Sequence, residues 1–368
     1  MGSMSAHGSE AEHESIFKVA ILHGKGRGLV ATDPIAFGTT IFTEVPYLKL
    51  EDNFAKLNPP AANALLGQQL RDLDKGDQRN FLQLRNLFPG LNPLLGTFCS
   101  NALQIHDCMH AVFRHTTLIN HDCIPNARYF WDKDVGRQVV RSLRRIDMGE
   151  ELTVAYIMRG TRAERQEIFK TRYGFECTCA LCSAPDEIVE QSDARQEIIR
   201  KHDALVDSDR VKTNPVACMK SCRHLAYAVK QEYKADKGQS RLYQPFEEAM
   251  NTCGRHGDRA RVVMFAKLAV ASLQLCFGYD HKRTSRVRRL AMHPDTMEGF
   301  GTHSMDWETW AHEIPENLGG SQFDEWLWRA GEWAVPVTVQ MDDEEWIATC
   351  KRLFLKEELA PDADDSDA

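Results

Sequence analysis

Short apolar runs separated by glycine and proline fill the first part of the chain. They lie at residues 19–22, 28–31 and 40–42, and this texture is typical of short strands joined by tight turns. From residue 53 to about residue 88 the apolar positions recur at helical spacing instead. These positions are Leu65, Leu66, Leu70, Leu73, Phe81, Leu84 and Leu87. The pattern predicts a helical insertion at about residues 46–98, between two β-rich parts.

Strand-like runs return after the insertion, at residues 128–131, 138–141 and 151–156. The four residues from Thr161 to Glu164 then match a capping box, which predicts a helix from there to about Arg172. The texture therefore changes from strands to helix just before the next group of cysteines.

Beyond residue 184 the pattern is helical. One predicted apolar stripe consists of Ala194, Ile198, Ile199, Leu205 and Val206. A second segment, residues 259–276, is apolar on nearly all sides and is followed by Gly278, a typical helix-ending residue. We predict an α-helical C-terminal domain at residues 184–358 and an acidic, solvated tail at residues 359–368.

Composition places the chain among globular proteins, because 43% of its 368 residues are hydrophobic and 27% are charged. A net charge of -8 argues against direct nucleic-acid binding, which usually needs a basic surplus. The longest apolar run, residues 262–277, is interrupted by Lys267 and falls short of the roughly 20 residues that span a bilayer. We therefore predict no membrane-spanning helix.

The first residues include no basic and apolar secretory signal. Residues 1–15 are predicted to be a disordered terminus or a tag remnant. We expect an intracellular protein, in the nucleus, the cytoplasm or both, and we expect it to be a monomer.

Eleven cysteines without such a signal argue against a disulfide framework and for thiolate or metal chemistry. Three of them form a C-x-C-x-x-C pattern from Cys177 to Cys182. Three thiolates this close can converge on one tetrahedral zinc ion, with a fourth ligand supplied from elsewhere in the fold. The alternative is that the three are buried as small apolar side chains.

Cys218, Cys222 and His224 also suggest a metal site at first sight. The two cysteines are four residues apart on an apolar helix face, however, and this spacing favours core packing.

A polar cluster runs from Asn120 to Asn126, with the sequence N-H-D-C-I-P-N. Two asparagines, a histidine and a proline cannot fill an apolar core, so the segment either binds something or is an irregular turn with internal hydrogen bonds. A glycine-rich segment, Gly24 to Leu29, lacks the spacing of a nucleotide-phosphate loop. Its glycines permit close backbone approach to a ligand, and Lys25 and Arg27 supply positive charge for a carboxylate.

The order of these motifs resembles that of the SET-domain methyltransferases. The glycine-rich opening is Gly24 to Leu29, and the signature N-H-x-C-x-P-N is complete from Asn120 to Asn126. The strand motif G-E-E-L-T-x-x-Y is Gly149 to Tyr156, and Tyr173 to Glu176 lead into the three cysteines. Four ordered motifs over residues 17–183 argue against a chance match.

The resemblance implies an α+β fold with a SET domain at residues 16–158 and a zinc-bound post-SET region at residues 159–183. The SET domain is expected to be a β-clip of small curled sheets with a pseudoknot, which brings Asn120 and His121 beside the Tyr156 strand. The sequence looks most like the SET-and-MYND branch, which has a split SET domain and a helical C-terminal domain. Residues 46–98 contain no cysteine, however, so the MYND zinc finger is predicted to be absent and its partner recognition does not carry over. Asp122 stands where the family usually has serine.

The resemblance also implies S-adenosylmethionine as the cofactor and a lysine of a protein as the methyl acceptor. Tyr156 is implied to be catalytic, at the point where the lysine channel meets the methyl group, and Tyr173 to wall that channel with it. The implied cofactor-binding residues are Lys25, Gly26, Arg27, Asn101, Asn120, His121, Tyr156 and Phe175. One structural zinc ion is implied, with Cys123 as the fourth ligand beside Cys177, Cys179 and Cys182.

Two functions of different kinds are compatible with this resemblance. The first is an active protein lysine methyltransferase with a histone or a non-histone substrate. The second is a catalytically weak SET-fold scaffold that acts through its helical C-terminal domain. The fold alone does not select the substrate. A small amine is a third and less expected possibility.

Overall fold

A computed structural model of the chain describes most of its residues. They are 16–51, 59–106, 109–206, 213–234, 240–316, 318 and 320–329. The predicted N-terminal remnant and the acidic tail lie outside this described part. The chain folds into two compact units. One comprises Met1–Met158 and Arg162–Val189, and the other comprises Arg159–Thr161 and Glu190–Ala368.

The first unit is built around a four-stranded sheet. Strands β1 (Phe17–Leu22) and β2 (Gly26–Ala31) form a hairpin whose turn contains glycines with positive φ. β2 also pairs antiparallel with β10 (Glu151–Val154), and β10 pairs in parallel with the two-residue strand β7 (Asn120–His121). The resulting order is β1-β2-β10-β7. Two of the predicted motifs, Asn120 to Asn126 and Gly149 to Tyr156, therefore lie side by side.

Two three-stranded sheets complete the strands that the structure describes. One has the order β3-β9-β8 and contains β3 (Thr40–Glu44), β8 (Ala127–Asp132) and β9 (Arg137–Ser142). The other has the order β4-β6-β5 and contains β4 (Leu48–Glu51), β5 (Leu103–His106) and β6 (Met109–Val112). The mixture of small sheets and helices confirms the predicted α+β class.

The insertion is helical for most of its described length. Its helices are α1 (Pro59–Asp72), α2 (Lys75–Leu82) and α3 (Pro93–Asn101). The strand β4 also lies within the range predicted to be helical, and it was not anticipated. Its two buried leucines, Leu48 and Leu50, alternate with charged residues over only four positions. So short an alternation gives a weak signal, and the strand is fixed by its pairing with β6.

The predicted helix after Thr161 is observed as α4 (Arg162–Ile168), which continues into a π-helical turn at Phe169–Tyr173. Gly174 ends this turn with φ +66°, a conformation that favours glycine. The π-helical turn was not anticipated, because single-turn π-bulges have no strong sequence pattern. Such turns occur frequently at functional sites.

The second unit is helical, as predicted. Its described helices are α5 (Asp186–Val206, which begins in the first unit), α6 (Pro215–Glu232), α7 (Tyr243–Arg255), α8 (Arg259–Phe277), α9 (Lys282–Met292) and α10 (Gly320–Trp328). α8 is long and apolar enough to cross a membrane, with a mean hydropathy of 1.6, but 72% of that window is buried within the protein. It packs between α7 and α9, as a core helix does.

The predicted apolar stripe of α5 is wrong in part. Ile199 and Val206 are buried, but Ala194, Ile198 and Leu205 are exposed. The buried face carries polar residues instead, because Ser192 and Gln196 donate to the buried carboxylate of Glu232 over 2.6 and 3.0 Å. A polar face that is satisfied by a partner on another helix cannot be recognised from hydrophobic periodicity.

Cys218 and Cys222 belong to the core of the second unit, as predicted. They are 1% and 0% exposed, and the Cys218 Sγ lies 3.1 Å from the Thr252 hydroxyl. The His224 ring packs against His202 at a centroid distance of 4.8 Å. The cluster of possible metal ligands among the described residues lies in the first unit and contains Cys123.

Candidate active site and metal centre

Tyr156 lies two residues beyond the end of β10, rather than within the strand as predicted. Its phenolic O–H donates a hydrogen bond to the carbonyl of Ile119 over 2.8 Å, and its backbone N–H donates to Nδ1 of His121 over 3.0 Å. Burial raises the pKa of Tyr156 well above its ordinary value, with smaller contributions from Tyr129 and Tyr173. The phenol therefore stays neutral near pH 7.

The His121 ring connects this tyrosine to the cysteine cluster. Nδ1 accepts the Tyr156 N–H, so the ring proton is assigned to Nε2, which lies 3.3 Å from the Cys123 Sγ. Burial lowers the pKa of His121 to about 4, so the imidazole is neutral. Both ring nitrogens are engaged within the protein, and any contact that His121 makes with a cofactor is left to its backbone.

Aromatic rings surround Tyr156 on the side of the π-helical turn. The Tyr173 ring lies 5.1 Å from that of Tyr156, and the Phe175 ring lies 6.4 Å away in an edge-on arrangement. Phe175 stacks on the buried Phe169 at 5.0 Å, and Phe169 packs against His121 at 4.3 Å. The structure thus brings together three residues predicted for the site, Tyr156, Tyr173 and Phe175, in an apolar wall.

A polar cluster of three side chains, Lys25, Asn120 and Glu151, lies where the β1–β2 hairpin meets β7 and β10. The Lys25 ammonium contacts one oxygen of Glu151 at 2.6 Å, and the Asn120 amide donates to the other oxygen over 3.0 Å. The same amide donates to the carbonyl of Arg27 over 3.2 Å. A Cβ on Gly28 would lie 2.8 Å from the Asn120 amide nitrogen, so this close approach requires glycine.

Glu151 is the central member of this polar cluster, and it is not among the predicted site residues. Its signal in the sequence is its place in the Gly149 to Tyr156 motif, where it pairs with Val30 of β2. Asn101 was predicted to bind the cofactor, but its hydrogen bonds are not to this polar cluster. Its amide group donates to the carbonyls of Arg85 and Thr97, both over 2.7 Å.

The four predicted metal ligands converge. The sulfur atoms of Cys123, Cys177, Cys179 and Cys182 all lie within 4.8 Å of one another, and each cysteine is at most 8% exposed. A tetrahedral zinc ion with bonds of about 2.3 Å needs sulfur atoms about 3.8 Å apart. The 3.6 Å between the Cys123 and Cys182 sulfurs is close to that value. The donor set and its burial therefore fit a structural zinc ion.

Neighbouring side chains hold the cysteines in place. The Gln166 amide bonds to both backbone groups of Cys177, over 2.7 and 2.9 Å. The buried Arg165 guanidinium lies 3.8 Å from the Cys182 sulfur. Hydrogen bonds from Cys123, and then from Cys177 and Cys182, hold the pKa of the Cys179 thiol well below its ordinary value, whereas hydrogen bonds within the cluster raise the pKa of Cys123. The cluster thus favours a thiolate at Cys179, and the thiolate is the form of cysteine that binds metal.

Known proteins are similar to this chain in sequence. Residues 26–157 match the family model of the SET domain. The chain therefore contains a SET domain at these residues. It is 28% identical over 287 residues to the histone-lysine N-methyltransferase set5 of Schizosaccharomyces pombe, covering 76% of this chain and 84% of that protein.

Two further relatives match over shorter stretches. The histone-lysine N-methyltransferase SMYD3 of Mus musculus is 25% identical over 159 residues, which is 41% of this chain and 37% of that protein. ATXR4 of Arabidopsis thaliana, with the same enzyme name, is 37% identical over 78 residues, 21% of this chain and 24% of that protein. These matches agree with a SET-domain protein that is similar to the SET-and-MYND branch without the MYND finger.

Proposed function

We propose that this protein transfers a methyl group from S-adenosylmethionine to the side-chain amine of a lysine in a protein substrate. The observation that carries the proposal is the support of Tyr156, which is held by the Ile119 carbonyl, by His121 and by the Tyr173 ring. The names of the three relatives point to the same activity.

The hydrogen bond to Ile119 determines how Tyr156 can act. Its phenolic hydrogen is used by that carbonyl, so the lone pairs of the oxygen remain to accept a hydrogen bond from the substrate amine. When bound, S-adenosylmethionine supplies the methyl group on a sulfonium. The amine must be neutral to attack, and the apolar wall of Tyr173 and Phe175 disfavours its charged form. Tyr156 then aligns the nitrogen for displacement.

The cofactor is proposed to bind near Arg27 and the polar cluster that contains Lys25 and Asn120. Lys25 and Arg27 supply positive charge for its carboxylate, and Gly26 allows the backbone to approach. His121 contributes its backbone, and Phe175 lies near the adenine. Asn101 is retained in this set only by family resemblance, since its amide hydrogens bond to backbone carbonyls.

The cysteine cluster is proposed to hold one structural zinc ion. Four thiolates leave no open position for a catalytic water. The ion ties Cys123, next to the β7–β10 pair, to the segment that follows Tyr173 and Phe175. This segment is then the post-SET region, and the parallel β7–β10 pairing supports the proposed pseudoknot. The catalytic domains are proposed to end near residue 183, before α5.

Histones are the first substrates to test, because the relatives carry histone-lysine names. A histone substrate would place the protein in the nucleus, and a non-histone substrate is compatible with the cytoplasm. We propose that the protein is a monomer, that its substrate is a protein, and that it does not bind nucleic acid directly.

Labelled cofactor tests this function with histones and with a cell extract as substrates. Wild-type protein is expected to label a lysine, identified by mass spectrometry, and Tyr156→Phe to lower turnover at least tenfold, about 1.4 kcal/mol in activation free energy. Tyr47→Phe, in the core of the insertion, is the matched control with unchanged turnover. Calorimetry should give similar cofactor affinity for wild type and Tyr156→Phe. A folded, zinc-loaded protein that binds no cofactor and labels nothing would instead be a scaffold.

A further inference from the structure

The turn that carries Tyr173 and Phe175 is held from inside by a single carbonyl. The N–H groups of Gly174 and Phe175 both donate to the carbonyl of Phe169, the latter over 3.2 Å. Gly174 has φ +66°, which few other residues adopt without strain. These bonds fix the backbone of the turn, but they do not fix its position against the rest of the site.

The insertion contacts the outer side of the same turn. The Arg85 guanidinium donates to the carbonyl of Gly174 over 2.9 Å. A Cβ on Gly174 would lie 3.0 Å from Leu87 Cδ2 and 3.2 Å from an Arg85 guanidinium nitrogen. Glycine is therefore required here for close packing as well as for its φ value, and Arg85 and Leu87 are the residues that pack against it.

The segment with Arg85 and Leu87 is itself held by the end of α3. The Asn101 amide donates to the carbonyl of Arg85 over 2.7 Å, and the Leu87 N–H donates to the Ser100 hydroxyl over 2.8 Å. The last two residues of α3 thus hold both ends of this three-residue segment. A continuous series of contacts runs from α3 through Arg85 to Gly174.

We propose that Arg85 is a positioning residue for methyl transfer, which clamps the Tyr173–Phe175 turn against the insertion. This inference rests on the proposed function. Tyr173 and Phe175 supply the aromatic wall beside Tyr156, so a shift of the turn moves the wall relative to the phenolic oxygen. Asn101 acts in the same device by holding the Arg85 carbonyl, which gives it a role apart from direct cofactor contact.

Hydrogen exchange of the full chain tests the clamp without any cofactor or substrate. Arg85→Ala is expected to speed exchange of the Gly174 and Phe175 amides about three- to tenfold, and Arg85→Lys, which can still donate to the carbonyl, to restore most of the protection. Arg79→Ala, an exposed arginine of α2, should match wild type. Unchanged exchange at these amides in Arg85→Ala would overturn the proposal.

Kinetics provide the second readout. Arg85→Ala is expected to raise KM for the protein substrate and for S-adenosylmethionine about three- to tenfold with a smaller change in kcat, and Arg85→Lys to recover most of the loss. Zinc content and thermal unfolding should stay at wild-type values, which separates a clamp from a general folding defect. If Arg85→Ala loses zinc or unfolds, Leu87→Ala replaces it, with the same exchange signature expected.

The two proposals fail in different ways. If wild type has no turnover but Arg85→Ala loosens the turn, the methyltransferase function is wrong and the clamp stands as a structural device only. If wild type is active and Arg85→Ala equals it in both exchange and KM, the clamp is wrong and the function stands.

Discussion

The backbone N–H of Tyr156 and the thiol of Cys123 both contact one buried imidazole, that of His121, at 3.0 and 3.3 Å. The proposed catalytic tyrosine and the proposed metal site are therefore joined by a single side chain. Because the ring is neutral and each nitrogen has a partner, it acts as a rigid connector rather than as an acid or a base.

His121→Phe should loosen both ends of this connection. Phenylalanine retains the ring but leaves the Tyr156 N–H without its partner, so the free energy of unfolding is expected to fall by about 1–3 kcal/mol. Zinc release to a chelator should also become faster. Urea unfolding and a colorimetric zinc assay measure these effects, with His106→Phe at the exposed end of β5 as the control. Equal stability and zinc release in wild type and His121→Phe would contradict the connector role.

Arg165 should stabilise the zinc-bound cluster by its charge. Four thiolates and one zinc ion carry a net charge of about -2, and the buried guanidinium near Cys182 offsets part of it. We expect Arg165→Leu to lose zinc to a chelator about tenfold faster, and Arg165→Lys to be intermediate. Lys170→Met, on the exposed side of the π-helical turn, should release zinc at the wild-type rate. A normal release rate in Arg165→Leu would argue against charge compensation.

Removal of the metal should disorder the segment that it closes. Chelation, or Cys177→Ser, is expected to increase hydrogen exchange throughout residues 173–182 and to weaken cofactor binding measured by calorimetry. Added zinc should restore wild-type protein but not the variant. Cys99→Ser, at a cysteine outside the cluster, serves as the control. Cofactor affinity that survives complete zinc removal would separate the metal from the active site.

Glu151→Gln should weaken cofactor binding although it keeps the size of the side chain. The change removes the ion pair with Lys25 and alters the partner of the Asn120 amide, so both groups lose their fixed positions. We expect the Kd for S-adenosylmethionine to rise about three- to tenfold, as measured by calorimetry. Glu51→Gln on β4 is the matched control. An unchanged Kd would mean that Lys25 and Asn120 lie outside the cofactor site.

The His202 and His224 pair should make stability depend on pH. Burial, and then the charge of His224, lower the pKa of His202 to about 4 from 6.5. Between these two pKa values the unfolded chain binds more protons than the folded chain. The contribution of His202 to the free energy of unfolding is therefore fully present above about pH 6.5 and is lost as the pH falls towards 4. Urea unfolding of the full chain at pH 7 and pH 5 should give a smaller difference for His202→Gln than for wild type. Exposed His312→Gln should keep the wild-type difference.

The sequence was most informative where function restricts a short segment. The match of Cys123 with the Cys177 to Cys182 cluster was predicted from two separate motifs, and the structure brings their sulfur atoms together. The position of Asn120 and His121 beside the strand that leads to Tyr156 followed from the same resemblance. Each of these predictions depended on residue types at fixed spacing.

Contacts between distant segments were not predictable in the same way. The Arg85 contact with Gly174 joins residues 89 positions apart through a backbone carbonyl, which leaves no requirement on residue type at one end. The β4-β6-β5 sheet and the polar face of α5 were missed because pairing and buried hydrogen bonds, rather than periodicity, determine them.

The pairing of β2 with β10 has a consequence for synthesis of the chain. Val30 pairs with Glu151, so the central sheet has to wait for about 120 intervening residues before its middle strands can meet. Cys123 waits in turn for Cys182. A nascent chain on the ribosome therefore contains the glycine-rich segment Gly24 to Leu29 early, but it contains all four cysteines of the cluster only after Cys182 has emerged. During that interval its unpaired strand edges are exposed to chaperones and to aggregation.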